Sequence, residues 1–186
     1  VSTILETARE IPQDEDARYV ERFLAGEPGV FEQIYSKYYD KVYSVARGIL
    51  LDADDAADAV QEIFTQVYKH LANFDRRSKF GTWLFRIAVN RSIQFGRKTK
   101  YRLRQTELNE QISEEHTPEA LVGDPKISVA LSQLVPNDRA LIVLFYWEEM
   151  SLAEIASSLD CSENAAKTRL YRARERFKTF YEKVGA

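Results

Sequence analysis

Between Arg76 and Arg104 the chain reads RRSKFGTWLFRIAVNRSIQFGRKTKYRLR, with ten Lys or Arg side chains and no Asp or Glu. Cations at this density attract a polyanion. Interleaved aromatic rings and planar amides add stacking faces and hydrogen-bonding edges suited to unpaired bases. Laid out at about 100° per residue, Trp83, Arg86, Asn90, Gln94 and Arg97 line one sector of a helix running from near Gly81 toward Tyr101. Lys98 extends the positive charge, and the preceding loop adds Arg76, Arg77, Lys79 and Phe80. Leu84, Phe85, Ile87, Ala88 and Val89 supply the apolar remainder. Some of these residues suit blander roles. Trp83 fits a core better than a stacking platform, and Arg86 fits a structural ion pair. Asn90 is a poor former of helix interiors, which favours a functional reason for it. Taken alone, a basic helix also fits a membrane surface or a protein partner.

A second basic block closes the chain. Ser151 and Glu154 make an S-x-x-E capping box that opens the short helix SLAEIASSL. After a turn holding Asp160 and Cys161, Ser162 caps a final helix toward Val184. Two helices joined by so short a turn, the second one basic, suggest a helix-turn-helix. On the last helix Ala166, Leu170, Ala173, Phe177, Phe180 and Val184 share one side. The other side presents Asn164, Lys167, Thr168, Tyr171, Arg172 and Glu175, and the side chains of its first two turns are able to read base edges in a major groove. Arg169, Arg174, Arg176 and Lys178 flank that face at the level of phosphates.

The elements that position these blocks are helical throughout. No sustained two-residue alternation argues for strands. Helices are predicted over 17–24 and 30–50, and a third after Asp52, where Ala56, Val60, Ile63, Phe64, Val67 and Leu71 form a stripe. Residues 105–125, QTELNEQISEEHTPEALVGDP, lose the apolar period and read as a flexible linker, with a helical turn near 118–122. Beyond it, a short run at 129–134 and a helix from Pro136 through Trp147 precede the capping box. The expected fold is all-α, with two small helical domains on a linker. The boundaries are an extension at 1–18 with no readable pattern, a first domain at 19–104, the linker at 105–125 and a second domain at 126–186.

Charge by segment explains why an average is misleading here. The chain is net −3, yet residues 1–75 carry −8, 76–104 carry +10, 105–160 carry −9 and 161–186 carry +4. A single cysteine excludes an internal disulfide and suits a reducing compartment. No apolar run is long enough to span a bilayer, and the first residues lack a signal-peptide pattern. A cytoplasmic protein without membrane insertion is expected. Asp52, Asp54, Asp55 and Asp58 lack the glycine and spacing of a calcium loop. His70 and His116 lack companions at zinc spacing. No phosphate-binding glycine loop or nucleophile motif is present, so no enzyme, metal, cofactor or small-molecule substrate is expected.

Three motifs together resemble the extracytoplasmic-function sigma factors of bacterial RNA polymerase, group IV of the sigma-70 family. ADAVQEIFTQVY is similar to the core-binding helix of region 2, FGTWLFRIAVNRSIQFGRK to its promoter-melting helix, and SLAEIASSLDCSENAAKTRLYRARERF to the helix-turn-helix of region 4. The resemblance spans about residues 19–184. It implies that Asp58, Gln61, Glu62 and Thr65 meet the clamp of the polymerase's largest subunit, with the flap as a second polymerase contact. It implies that the Trp83–Arg97 sector takes the non-template strand of the minus-10 element, with Asn90 helping to hold a flipped-out base. It further implies that region 4 reads the minus-35 duplex through Lys167, Thr168, Tyr171 and Arg172, with Ser162, Asn164 and the flanking arginines beside them. An anti-sigma factor is an implied partner. The family's turn often reads Gly-Thr-Val where this chain has Asn164, Ala165 and Ala166. The chain lacks the long C-terminal extension of some subgroups, so no added regulatory domain is expected.

Two other functions compete. A stand-alone helix-turn-helix repressor or activator would need neither the Gln61–Glu62 helix nor a single-strand sector, and would usually need a dimer to span two half-sites. An anti-sigma or scaffold protein would not need two basic surfaces.

Overall fold

The computed structural model describes residues 14–107 and 124–184, with the side chains of 102–107 excepted. Eight α-helices make up the described residues: α1 (Ala17–Leu24), α2 (Val30–Leu50), α3 (Ala53–His70), α4 (Phe80–Glu107), α5 (Pro125–Ser132), α6 (Pro136–Tyr146), α7 (Leu152–Ser158) and α8 (Glu163–Val184). A 3₁₀ turn at Leu71–Asn73 follows α3. The predicted starts and stops of α1 and α2 agree with these bounds. Helix α4 runs on to Glu107, three residues into the segment expected to be linker. The helical turn expected at 118–122 lies outside the described residues.

Local chemistry sets the ends. Asp52 has extended backbone and its side chain accepts the Asp55 N–H at 2.7 Å, capping α3. Asp54 and Asp55 sit in the first turn of α3, where the helix dipole favours negative charge. Asp124 accepts the Lys126 N–H, and Pro125 opens α5 where its missing N–H costs nothing. Both hydrogen bonds of the Ser151–Glu154 capping box are present at the start of α7. The predicted cap Ser162 accepts the Ala165 N–H at 3.2 Å.

Helices α2, α3 and α4 pack into a bundle around Ile34, Val42, Ile49, Ile63, Val67, Phe80 and Leu84, all fully buried. Helix α1 lies against α2. In the second unit α5, α6 and α7 all pack on α8. The two units are not strung apart. Helix α2 packs on α6 and α4 on α7. One apolar cluster runs from Ile34 and Phe80 through Val143 and Leu144 to Ile155 and Leu170. A smaller cluster gathers Leu51 with Leu131, Leu134 and Ile142.

Residues 14–16, which carried no readable pattern, act at a distance. An Asp14 carboxylate oxygen accepts the Phe80 N–H and so caps α4. Asp16 accepts from the Tyr38 hydroxyl and pairs with Lys37. Burial, and then Asp16, pushes the Tyr38 hydroxyl far above its ordinary range. It therefore remains a donor at any working pH.

Asp14→Ala is expected to lower the unfolding free energy by about 1 kcal/mol, the usual loss of a helix cap. Urea unfolding followed by circular dichroism checks this, and an unchanged midpoint would show that the cap contributes nothing.

Candidate nucleic-acid and polymerase interfaces

Helix α4 is amphipathic in the way the sector demands. Leu84, Ala88 and Val89 are buried, while Arg86, Asn90, Gln94, Arg97 and Lys98 are exposed. Gln94 accepts from Arg91 at 3.3 Å, which steers its amide along the surface. A cleft of about 450 Å³ opens beside the sector, lined by Thr82, Trp83, Arg86, Ile87 and Asn90 from α4. His70, Asn73, Asp75, Arg77 and Ser78 form its other side, and Ser157 of α7 closes one edge. Volumes of roughly 300–1,000 Å³ suit small planar ligands, and a single nucleobase is one.

The aromatic residues divide. Trp83 is half-buried, with its ring 5.4 Å from Phe74 and 5.7 Å from Phe80. It is braced by the core and still forms a wall of the cleft. Phe80 corrects an expectation. It is 0% exposed and packs edge-on against Tyr38 at 5.6 Å and Phe74 at 5.7 Å. A ring so enclosed supports the loop and Trp83 but cannot stack on a base.

The loop cations are individually engaged. Arg76 has a left-handed backbone (φ 60°) and pairs with Glu21 at 2.8 Å. Arg77 pairs with Asp75 at 3.1 Å with its side chain 88% exposed, a contact worth little in water. Lys79 and Arg86 instead reach across to the second unit. Lys79 Nζ lies 2.9 Å from Glu154 and Arg86 lies 3.2 Å from Asp160. The pairing with Glu154 raises the Lys79 ammonium above its ordinary range.

On α3, Asp58, Gln61, Glu62 and Thr65 are all exposed on one face. The Thr65 hydroxyl donates to the Gln61 carbonyl at 2.8 Å. Beside them lies an apolar depression of about 370 Å³ formed by Phe31, Tyr35, Phe64 and Tyr68. Tyr68 is 54% exposed and held edge-on against Phe31 at 5.0 Å. Rigid, half-exposed aromatics rimmed by polar groups fit a protein partner. The sequence reading took the polar residues and missed Tyr35 and Tyr68, which come from two different helices. His70 and Asn73 were missed beside the α4 cleft, because only packing brings them there.

On α8 the predicted split holds for most of its length. Ala166, Leu170 and Ala173 are buried, and Phe177 and Phe180 are half-buried. Val184 departs from the stripe and is 38% exposed. Ser162, Asn164, Lys167, Thr168, Arg169, Tyr171 and Arg172 all face solvent. The Thr168 hydroxyl donates to the Asn164 carbonyl at 2.9 Å. Arg174 lies over the Tyr146 ring at 5.8 Å, and Arg176 pairs with Asp138 at 2.6 Å. These two arginines are thus oriented from α6. A groove of about 340 Å³ runs between α5, α6 and α8, lined by Ile127, Leu131, Ile142, Trp147 and Phe177.

Two family models match this chain: sigma-70 region 2 over residues 34–102 and sigma-70 region 4 over residues 126–177. The ECF RNA polymerase sigma factor SigW of Bacillus subtilis is 34% identical over 164 residues, covering 81% of this chain and 88% of the relative. The ECF RNA polymerase sigma-E factor of Escherichia coli K12 is 32% identical over 178 residues, covering 86% and 91%. The chain belongs to the ECF family of RNA polymerase sigma factors, DNA-binding proteins of transcription initiation that work with core polymerase at promoters. Two solved structures share its fold. One is CnrH in complex with the cytosolic domain of CnrY, with TM-score 0.68 and 24% identity over 91% of this chain and 98% of that one. The other is RpoE of Bartonella quintana in complex with the anti-sigma factor NepR, with TM-score 0.66 and 21% identity over 83% and 98%.

Two substitutions separate core from surface in this site. Phe80→Ala is expected to cost about 3–5 kcal/mol of stability, whereas Arg77→Ala should leave the denaturant midpoint within about 0.5 kcal/mol of the parent. Chemical unfolding of both variants measures this, and a stable Phe80→Ala protein would return that ring to the surface.

Proposed function

We propose that residues 19–104 dock on core polymerase and hold the melted minus-10 strand, while residues 126–186 read the minus-35 duplex. The observation that carries this is the presence of two separate exposed faces on one bundle. The polar and aromatic face of α3 is turned to solvent, and α4 offers a cationic sector with a base-sized cleft. One bundle can therefore grip polymerase and a DNA strand together. Asp58, Gln61, Glu62 and Thr65 meet the largest-subunit clamp, with Tyr35 and Tyr68 as apolar anchors beside them. Trp83, Asn90 and Gln94 capture an unstacked base of the non-template strand, and Arg76, Arg77, Lys79, Arg86, Arg97 and Lys98 follow its phosphates. Extrusion of a base costs a few kcal/mol, which these contacts offset.

On α8, Lys167, Tyr171 and Arg172 enter the major groove. Thr168 offers its methyl group there, since its hydroxyl is bonded to the helix backbone. Arg169, Arg174 and Arg176 meet phosphates, and Ser162 and Asn164 place the helix N-terminus against the backbone. The apolar groove between α5, α6 and α8 takes the polymerase flap. The protein is cytoplasmic, performs no catalysis of its own and is held in check by an anti-sigma factor. The RpoE of Bartonella quintana, which shares this fold, is bound to an anti-sigma factor. No described helix is long and apolar enough to cross a membrane.

Reconstitution with sigma-free core polymerase on a fragment library of the source genome should yield discrete transcript starts sharing two upstream elements. Asn90→Ala is expected to slow open-complex formation and Lys167→Ala to weaken the upstream element, each by about 5- to 100-fold for a lost base contact. Glu62→Ala should weaken core binding with DNA contacts intact. Sequence-specific duplex binding by the chain alone, with no core binding and no starts, would replace this reading with a stand-alone regulator.

A further inference from the structure

A second cleft, of about 400 Å³, opens beside the later turns of α4, between that helix, the end of α2 and the α5–α6 turn. Packing fixes its walls: Leu51, just past α2, is buried among Leu131, Leu134 and Ile142. Arg97 and Lys100 of α4 and Arg139 of α6 line it, with Asp55 as the one carboxylate on its wall. Arg97 and Lys100 are exposed and form no ion pair among the described residues.

Arg139 is a different kind of cation. Its Nη1 donates to the Leu134 carbonyl at 3.1 Å and the Leu131 carbonyl at 3.5 Å, where α5 ends. Its Nε is enclosed and has no hydrogen-bond partner. Burial pushes the guanidinium down to about 10, and no acid acts against that fall. A buried cation held by carbonyls alone is costly unless an anion completes its shell. Ser92 of α4, on the same cleft, is 0% exposed and its hydroxyl is also unpartnered. Buried hydroxyls are ordinarily hydrogen-bonded. Val135 and Pro136 border the cleft as well, and Val135 gives α6 no side-chain cap. The positive end of the α6 dipole therefore lies at the same space. Ile49, Leu50, Ile93 and Leu134 supply an apolar lining.

We propose that this cleft binds a small, free phosphate monoester, whose phosphate meets Arg139, Arg97 and Lys100 and whose organic part lies on Ile49, Leu50, Ile93 and Leu134. A dianionic phosphate matches three cations and one carboxylate. Its tetrahedral oxygens accept from donors on separate walls, Ser92 among them, which a planar carboxylate does less well. The cleft volume falls in the range of small-ligand sites, and a nucleoside is an organic part of suitable size. The inference is independent of which DNA strand α4 or α8 contacts.

Isothermal titration calorimetry at fixed ionic strength tests this with the 186-residue chain. The probes are adenosine monophosphate, adenosine and inorganic phosphate. The monophosphate should bind at one site, inorganic phosphate more weakly and adenosine not measurably. Arg139→Met is the main variant, since Met keeps the apolar stem and removes a buried charge, a change that folded chains tolerate. Its melting midpoint without ligand verifies the fold. Lys100→Ala, at an exposed position, is the second variant. Each should weaken the monophosphate about tenfold, the loss expected for one charge-assisted hydrogen bond. Lys183→Ala, exposed near the end of α8, should leave the affinity unchanged. Binding that is equally tight in the parent, Arg139→Met and Lys100→Ala would place the ligand elsewhere and overturn the inference. So would the absence of heat from both phosphates with the parent at millimolar concentration. If neither phosphate binds and the two variants instead weaken binding to random-sequence duplex DNA, the cations serve a DNA backbone and the free ligand is excluded.

Discussion

The close approach of α2 to α6 organises the whole molecule. At Gly48 the two helices leave no room for a methyl group against Val143 and Trp147. Close packing of this kind is unforgiving, because a tightly filled interior has few voids to absorb a shift. From that contact the apolar cluster continues in both directions, to Ile34 and Phe80 on one side and to Leu144, Ile155 and Leu170 on the other. The chain thus matches two separate family models, yet one apolar cluster runs through both stretches. The position of α7 on α4 follows from this, since α7 is fixed to α6 and α8 by its own packing.

The electrostatics sit on top of that packing and do not replace it. The two pairs that cross the boundary, Lys79–Glu154 and Arg86–Asp160, have side chains between 28% and 81% exposed. Pairs so exposed contribute at most about 1 kcal/mol each and weaken with salt. Their value is directional: they select which surface the second unit covers, while apolar contact supplies the attraction. Glu148 sits at the same boundary. Burial raises its carboxyl above the ordinary range, with the Ser44 hydroxyl and Lys41 of α2 acting against that rise. Surface charge of both signs thus meets at a junction that the net charge of −3 conceals.

Much of this was legible in the sequence because it depends on local period and end chemistry. The Ala166–Leu170–Ala173 stripe, the Ser151–Glu154 box and the Ser162 cap are all rules written within a few residues. Phe80 misled for a physical reason. An aromatic residue inside a basic loop has the composition of a stacking platform, and only the arrival of Tyr38 and Phe74 from other segments makes it core. Asp14 was illegible because its partner, the Phe80 N–H, lies 66 residues away. Gly48 and Leu51 read as an ordinary helical glycine and an apolar helix end, since no local rule records a neighbour from another unit. The family motifs fixed the two halves separately and were silent on how the halves meet.

Small-angle scattering of the free 186-residue chain at moderate salt addresses that junction most directly. The account predicts a radius of gyration close to that of a single 186-residue domain, about 16 Å, with one maximum in the pair-distance distribution. A distinctly larger radius with a second maximum, showing two units held apart in the absence of polymerase, would contradict it.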